Sequence, residues 1–232
     1  LEDGAWLGAP AFVLGGGPSI NDHGALLPSI ADHGYVIATN RAIELPVRID
    51  VWTWMEERVF REVSDGRLGP RAQEAFLKYG GAYVARTLRS RNVVYPHYVT
   101  QINTEPSVLL GESFSTKVHT HTNVGFFGMN LAYCLGADPI VLLGFDQRGD
   151  TENQQTWWHN GYPHHASKDV ARTYQVMRTG FEAAARQADA ERRRIWNVSS
   201  ITTLDCFPTF GALGDALAQL ETAGITDTTR GQ

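Results

Sequence analysis

The segment PIVLLGFD, residues 139–146, constrains the fold more than any other part of this 232-residue chain. A strand that is apolar on both faces must lie inside a sheet that is covered on both sides. Helical crossovers supply two such covers, so the sheet is expected to be parallel. The residues before it agree. In NVGFFGMNLAYCLGAD, Phe127, Leu131 and Leu135 recur every fourth residue and Gly136 stands where a helix would end. The unit is helix, tight turn, central strand.

The rest of the chain follows the same rhythm. Residues 11–15 form an apolar strand that runs into three glycines, and a helix carrying Ala25, Leu26, Leu27 and Ile30 follows. Strands are expected at 34–40 and 49–55, helices at 56–64 and 70–79, and a fourth strand, RNVVYP, closed by Pro96. Residues 97–121 have no sustained period and read as a loop with short extended pieces. Residues 145–166 are polar and aromatic without a period, which in a compact domain marks a lid-like or binding loop. Val170, Tyr174, Met177 and Phe181 mark a long helix whose far end, ERRR, is expected to face solvent. IWNVS gives a further strand, FGALGDALAQLETAG a closing helix, and residues 224–232 a flexible tail. The expected class is α/β: a single Rossmann-like domain over 1–232 with a mostly parallel sheet, helices on both faces and a lid-like loop at 145–166.

Composition removes several partners. A net charge of −5 and a pI near 5.9 disfavour nucleic acid. No apolar run approaches the ~18 residues of a membrane span, and LEDGAWLGAP is acidic where a secretory signal would be basic, so a cytoplasmic location is expected. Two cysteines are too few for a disulfide framework, and Cys134 reads as a buried free thiol. A homo-oligomer is left open.

A glycine-rich turn between a strand and a helix lets a phosphate approach the backbone. Here VLGGGPSI lacks the third glycine of a dinucleotide fingerprint, the second strand ends ATN without a ribose-binding acid, and no Walker lysine follows. NAD and P-loop chemistry are both disfavoured. Ser19 could cap the helix or donate to a phosphoryl oxygen. Asn40, at the end of the second strand, could read a base or ribose or serve only the turn. Asp146, at the end of the central strand, could hold a ribose hydroxyl, a metal or an acceptor hydroxyl, or simply cap. Asn123 and Gly125 face the same edge, with Asn123 also a plain N-cap candidate.

The loop TWWHNGYPHHASKD gathers His159, His164 and His165 with Trp157, Trp158 and Tyr162. A histidine there suits general acid–base work, and the indoles suit stacking on a sugar or base or packing over the core. The H-x4-H-H spacing lacks HExxH geometry and a cysteine partner, so no metal site is assigned; His119 and His121 in VHTHT add a little to that rival chemistry.

Taken together, VLGGGPSI, ATN, NVGFFGMNLAYCLGADPIVLLGFD and the histidine loop resemble the superfamily shared by Campylobacter-type sialyltransferases (GT42-like) and the MptE-like (DUF115) proteins. The latter include archaeal hydroxymethylpterin diphosphokinases and motility accessory factors. The resemblance implies that Gly15, Gly16, Gly17, Pro18, Ser19 and Asn40 line a nucleotide site. It implies that Asn123, Val124 and Gly125 take the place of the family's TSG helix start. Gly144, Phe145 and Asp146 fall on its G-[IF]-D strand end, and His164, with His165 beside it, on the loop base. The function implied is transfer from a nucleotide-activated sugar of the CMP-sialic-acid type to a small-molecule or glycan acceptor; charge on the leaving phosphate could be relieved by helix N–H groups, Lys168, Tyr162 or a metal. The alternatives are an Mg²⁺-dependent diphosphokinase acting on a hydroxymethylpterin-like ring, with Asp146 and Asp50 as ligands, and a non-catalytic nucleotide-binding module.

Overall fold

The computed structural model describes residues 1–87, 95–114, 118–121, 123–148, 157–159 and 170–225. Its nine strands are β1 (Ala11–Leu14), β2 (Tyr35–Thr39), β3 (Val51–Trp54), β4 (Ala82–Thr87), β5 (Val99–Pro106), β6 (Val118–Thr120), β7 (Ile140–Leu143), β8 (Ile195–Val198) and β9 (Thr209–Phe210). They form one sheet in the order β6-β5-β4-β3-β2-β1-β7-β8-β9, and every described pair is parallel.

Every residue of β1 and β7 is buried, as a strand covered on both faces requires. Alternation along the strands divides the core in two. Phe12, Leu14, Val36, Trp52, Trp54, Val141 and Leu143 point to one side, where helices α1 (Ile30–His33), α2 (Glu57–Ser64), α3 (Pro70–Lys78) and α6 (Leu213–Thr222) pack. Val13, Ile37, Val51, Ile140 and Leu142 point to the other, against α4 (Val124–Cys134) and α5 (Val170–Ala190).

Helix α4 lies unusually close to the sheet because Gly128 faces β1 and β2. A Cβ at that position would stand 2.9 Å from Thr39 Cγ2 and 3.0 Å from Val13 Cγ1. Gly128→Val is therefore expected to push α4 off the sheet, at a cost of about 2–4 kcal/mol in a urea titration. A midpoint unchanged from wild type would refute this account of the packing.

Three sequence expectations are corrected. The segment after the glycines is not one helix but two 3-10 turns, Pro18–His23 and Leu27–Ser29, followed by the short α1. Pro28, inside the expected helix, has no N–H to donate and breaks the i→i−4 ladder, whereas Pro18 stands at the first position, where no N–H is needed. The fourth strand is Ala82–Thr87, earlier than RNVVYP, of which residues 91–94 lie outside the described residues. Two strands, β5 and β6, occupy what reads as loop over 97–121; β5 buries only Val99 and Ile102, so it carries no clean period, and Asn130 Oδ1 on α4 accepts the His119 amide of β6 at 2.6 Å.

The run ERRR faces solvent as expected, with Glu191, Arg192 and Arg194 exposed and Arg193 half-buried, and it also makes contacts. Arg193 donates to the Tyr133 and Ala137 carbonyls and lies 4.4 Å over the Tyr133 ring, while Arg194 makes a forked pair with Asp138. The run clamps the C-terminal end of α4, where unpaired carbonyls favour cations. Both cysteines are free thiols, and burial pushes Cys134 up to about 12.

Candidate active site

The sheet order makes a switch point. From β1 the chain builds outward through β2 to β6, then crosses back to place β7 on the other side of β1. In open parallel sheets the crevice beyond the strand ends at such a point is where ligands sit. A cavity of about 170 Å³ lies there, lined from the β1 end by Gly15, Gly16 and Gly17, from β2 by Thr39, Asn40 and Arg41, and from the start of α4 by Asn123, Val124 and Gly125. Gly144 to Arg148 line it after β7, Trp157, Trp158 and His159 roof it, and Tyr174 and Met177 reach it from α5.

The glycine turn is not a nest of free amides. Gly15 N donates to Leu143 O and Gly17 N to Gly144 O, each at 2.8 Å, and Ser19 N donates to Asp146 Oδ2 at 2.9 Å. Pro18 has no N–H, which leaves Gly16 as the turn's amide without an acceptor among the described residues. Asp146 is 1% exposed and also accepts from Ser19 Oγ at 2.5 Å and Ser199 Oγ at 2.6 Å. Its carboxylate thus ties β1, β7 and the loop after β8 together, and fills the place an external anion would take at the Pro18 turn. A Cβ on Gly17 would meet this carboxylate and stand 2.7 Å from Gly144 O, so glycine is required for the close approach.

The anion-accepting character moves to α4. Asn123 is its N-cap, with Oδ1 accepting the Phe126 amide at 2.8 Å, and the Val124 and Gly125 amides of the first turn have no acceptor among the described residues. Asn123 Nδ2 is buried and, like the amide oxygens named next, unpartnered among the described residues. Asn40 adopts a left-handed conformation, φ 50°, held by Trp52 Nε1 donating to its carbonyl at 2.7 Å; its Oδ1 is also buried without a partner, as is Gln147 Oε1. The three residues all line the cavity, and amide atoms left without a partner are costly unless a ligand satisfies them.

Above the turn, Trp158 N donates to Gly16 O at 3.0 Å and Asn21 Nδ2 to Trp158 O at 3.3 Å, which docks residues 157–159 on the glycines. The rings of Trp157 and His159 stack, 6.1 Å apart and 3° from parallel. Burial and the nearby Asp146 charge hold the Tyr174 phenol above its ordinary range, so it faces the cavity as a neutral donor.

The structure therefore brings together Gly15–Gly17, Asn40, Asn123–Gly125, Gly144–Asp146 and Trp157–His159, with Pro18 and Ser19 behind the turn. Tyr162, His164, His165 and Lys168 lie outside the described residues. Asp50 precedes β3 at the opposite sheet edge and accepts the Val36 amide, whereas Asp146 follows β7; a four-residue strand separates the two edges by ~13 Å, so they cannot share one Mg²⁺. His119 and His121 bond to different carbonyls, those of Leu109 and Val176, and do not converge. Thr39, Arg41, Gln147, Arg148, Tyr174 and Met177 were not singled out as site residues from sequence; the first four flank motif residues in the chain, while the two from α5 read only as an apolar helix face.

No family model and no curated protein matches the sequence. Among solved structures, the chain is similar to the MAf glycosyltransferase from Magnetospirillum magneticum AMB-1, with a TM-score of 0.57 and 16% identity over 91% of this chain and 35% of that one. It therefore spans about a third of that protein's length. It is also similar to the sialyltransferase CstII from Campylobacter jejuni, solved with the substrate analogue CMP-3FNeuAc, with a TM-score of 0.53 and 10% identity over 87% of this chain and 86% of that one. The chain shares its parallel α/β fold with these two glycosyltransferases.

Proposed function

We propose that the protein is a glycosyltransferase that takes a nucleotide-activated sugar, of the CMP-sialic-acid type, and passes the sugar to a hydroxyl-bearing acceptor. The observation that carries this reading is the set of buried, unpartnered amide atoms of Asn40, Asn123 and Gln147 around the switch-point cavity. Such a set fits a base and ribose, which present both donors and acceptors. The free first-turn amides of α4 suit the nucleotide phosphate as charge develops on it. The likeness in fold to two glycosyltransferases supports the reading.

In the reaction the acceptor oxygen bonds to the anomeric carbon, the bond from that carbon to the phosphate oxygen breaks with its electron pair on the nucleotide, and the acceptor proton passes to an imidazole of the 145–166 segment. His164 is the base this reading assigns, with His165 beside it; His159 is the imidazole on the cavity wall among the described residues. Separation of Asp50 from Asp146 leaves the pterin diphosphokinase without its Mg²⁺ pair.

Incubation with CMP-, UDP- and GDP-sugars, followed by nucleotide release, tests the proposal. Release from the CMP-sugar is expected, and His164→Ala should slow it by ~10²–10⁴ while leaving CMP binding intact. Neither hydrolysis nor transfer with any donor would sink it, and turnover unchanged in the His164→Ala, His165→Ala and His159→Ala variants would exclude a loop imidazole as base.

A further inference from the structure

A second cavity, of about 460 Å³, adjoins the first and shares Arg41, Trp158 and His159 with it. We infer that it holds the acceptor, and that the acceptor is a hydroxylated compound bearing a carboxylate, such as a uronic acid. The inference rests on the transferase reading of the first cavity.

Its charge carries the argument. Arg41 is neutralised by a forked pair with the buried Glu44, Nε to Oε1 at 2.5 Å and Nη2 to Oε2 at 3.0 Å. Arg71 is not. Its Nε and Nη2 donate to the Glu44 backbone carbonyl at 3.3 and 3.1 Å, its guanidinium lies 5.8 Å from the Trp158 ring centroid, and no carboxylate pairs with it among the described residues. The side chain is exposed to solvent but held from two sides, with no carboxylate on it among the described residues, so little ordering entropy remains to be lost on binding an anion. Arg71 also stands in the first turn of the nine-residue α3, which begins at Pro70, where the helix adds positive potential.

A second observation is independent of charge. Trp158 Nε1 is buried and has no acceptor among the described residues. Indole and guanidinium are donors only, so a ligand that satisfies this wall must present acceptor oxygens. A carboxylate fits the outer Nη1–Nη2 edge of Arg71, the Nε–Nη2 edge being taken by the Glu44 carbonyl, and ring hydroxyls supply acceptors for the indole N–H. Asn21, whose amide already holds the Trp158 carbonyl, completes a polar rim. His159, buried and on the wall common to both cavities, then lies between the two substrates.

The test uses the whole chain saturated with CMP and saturation-transfer NMR with glucuronate, galacturonate, glucose and galactose as probes. Both uronates are expected to bind at least tenfold more tightly than the neutral sugars. Arg71→Met should weaken the uronates at least tenfold and leave the CMP Kd within twofold. Trp158→Phe, which keeps a ring and removes the N–H, should weaken them severalfold. If Arg71→Met fails to fold, Arg71→Lys, which keeps the charge and loses the fork, is expected to bind the uronates less tightly than wild type and still prefer them to glucose. Absent uronate binding, binding indifferent to Arg71 and Trp158, or displacement of CMP by uronate overturns the acceptor site. Uronate binding through Arg71 with no nucleotide binding would instead remove the transferase reading, and the acceptor assignment with it.

Discussion

Asp146→Ala is expected to destabilise the protein by about 3–5 kcal/mol and to lower Tm by ~10 °C. The carboxylate receives the Ser19 amide and the hydroxyls of Ser19 and Ser199, all buried. A buried donor deprived of its partner costs about 1–3 kcal/mol, and the two hydroxyls recover part of that by rotating to other oxygens. Because the same contacts hold the glycine turn against β7, nucleotide affinity should fall together with stability. Asp146→Asn keeps the shape and one acceptor oxygen but loses the charge, and should give about half the loss. Thermal unfolding of the three proteins decides the matter. A Tm within 2 °C of wild type for the alanine variant would mean that the carboxylate is not structural and is free to act on a ligand.

The second large effect is expected in binding. Asn40→Gly and Asn123→Ala should each weaken CMP by roughly tenfold, and together by about a hundredfold, because each removes one orphaned polar atom from the cavity wall. Stability separates them. Asn40 has φ 50°, which glycine adopts without strain, so Asn40→Gly should melt within a degree or two of wild type. Asn123→Ala also removes the N-cap of α4 and should cost about 1 kcal/mol. Isothermal titration and thermal unfolding on the same samples measure both quantities. If Asn40→Gly binds CMP as wild type does, Oδ1 does not face the nucleotide.

These predictions depend on local features that differ in how far the sequence reveals them. The run IVLL is legible because burial on both faces leaves no polar position, and the α4 helix because Phe127, Leu131 and Leu135 keep its period. Strand β5 is illegible for the opposite reason: it lies toward the edge of the sheet, much of it is exposed, and its polar residues carry no pattern. The break after the glycines could have been read from Pro28, since a missing N–H inside a helix is a local property.

By itself the sequence determined a parallel α/β sheet, its central strands and several chain segments that line the switch-point cavity, because hydrophobic period and turn chemistry are written residue by residue. Only the tertiary structure decided which polar groups are used up and which are left over. Asp146 is committed to Ser19 and Ser199, far away in the chain, while among the described residues Asn40, Asn123 and Gln147 keep unpaired atoms and Arg71 has no carboxylate partner. Pairing of this kind depends on distances across the fold, and those exist only once the strands have been placed side by side.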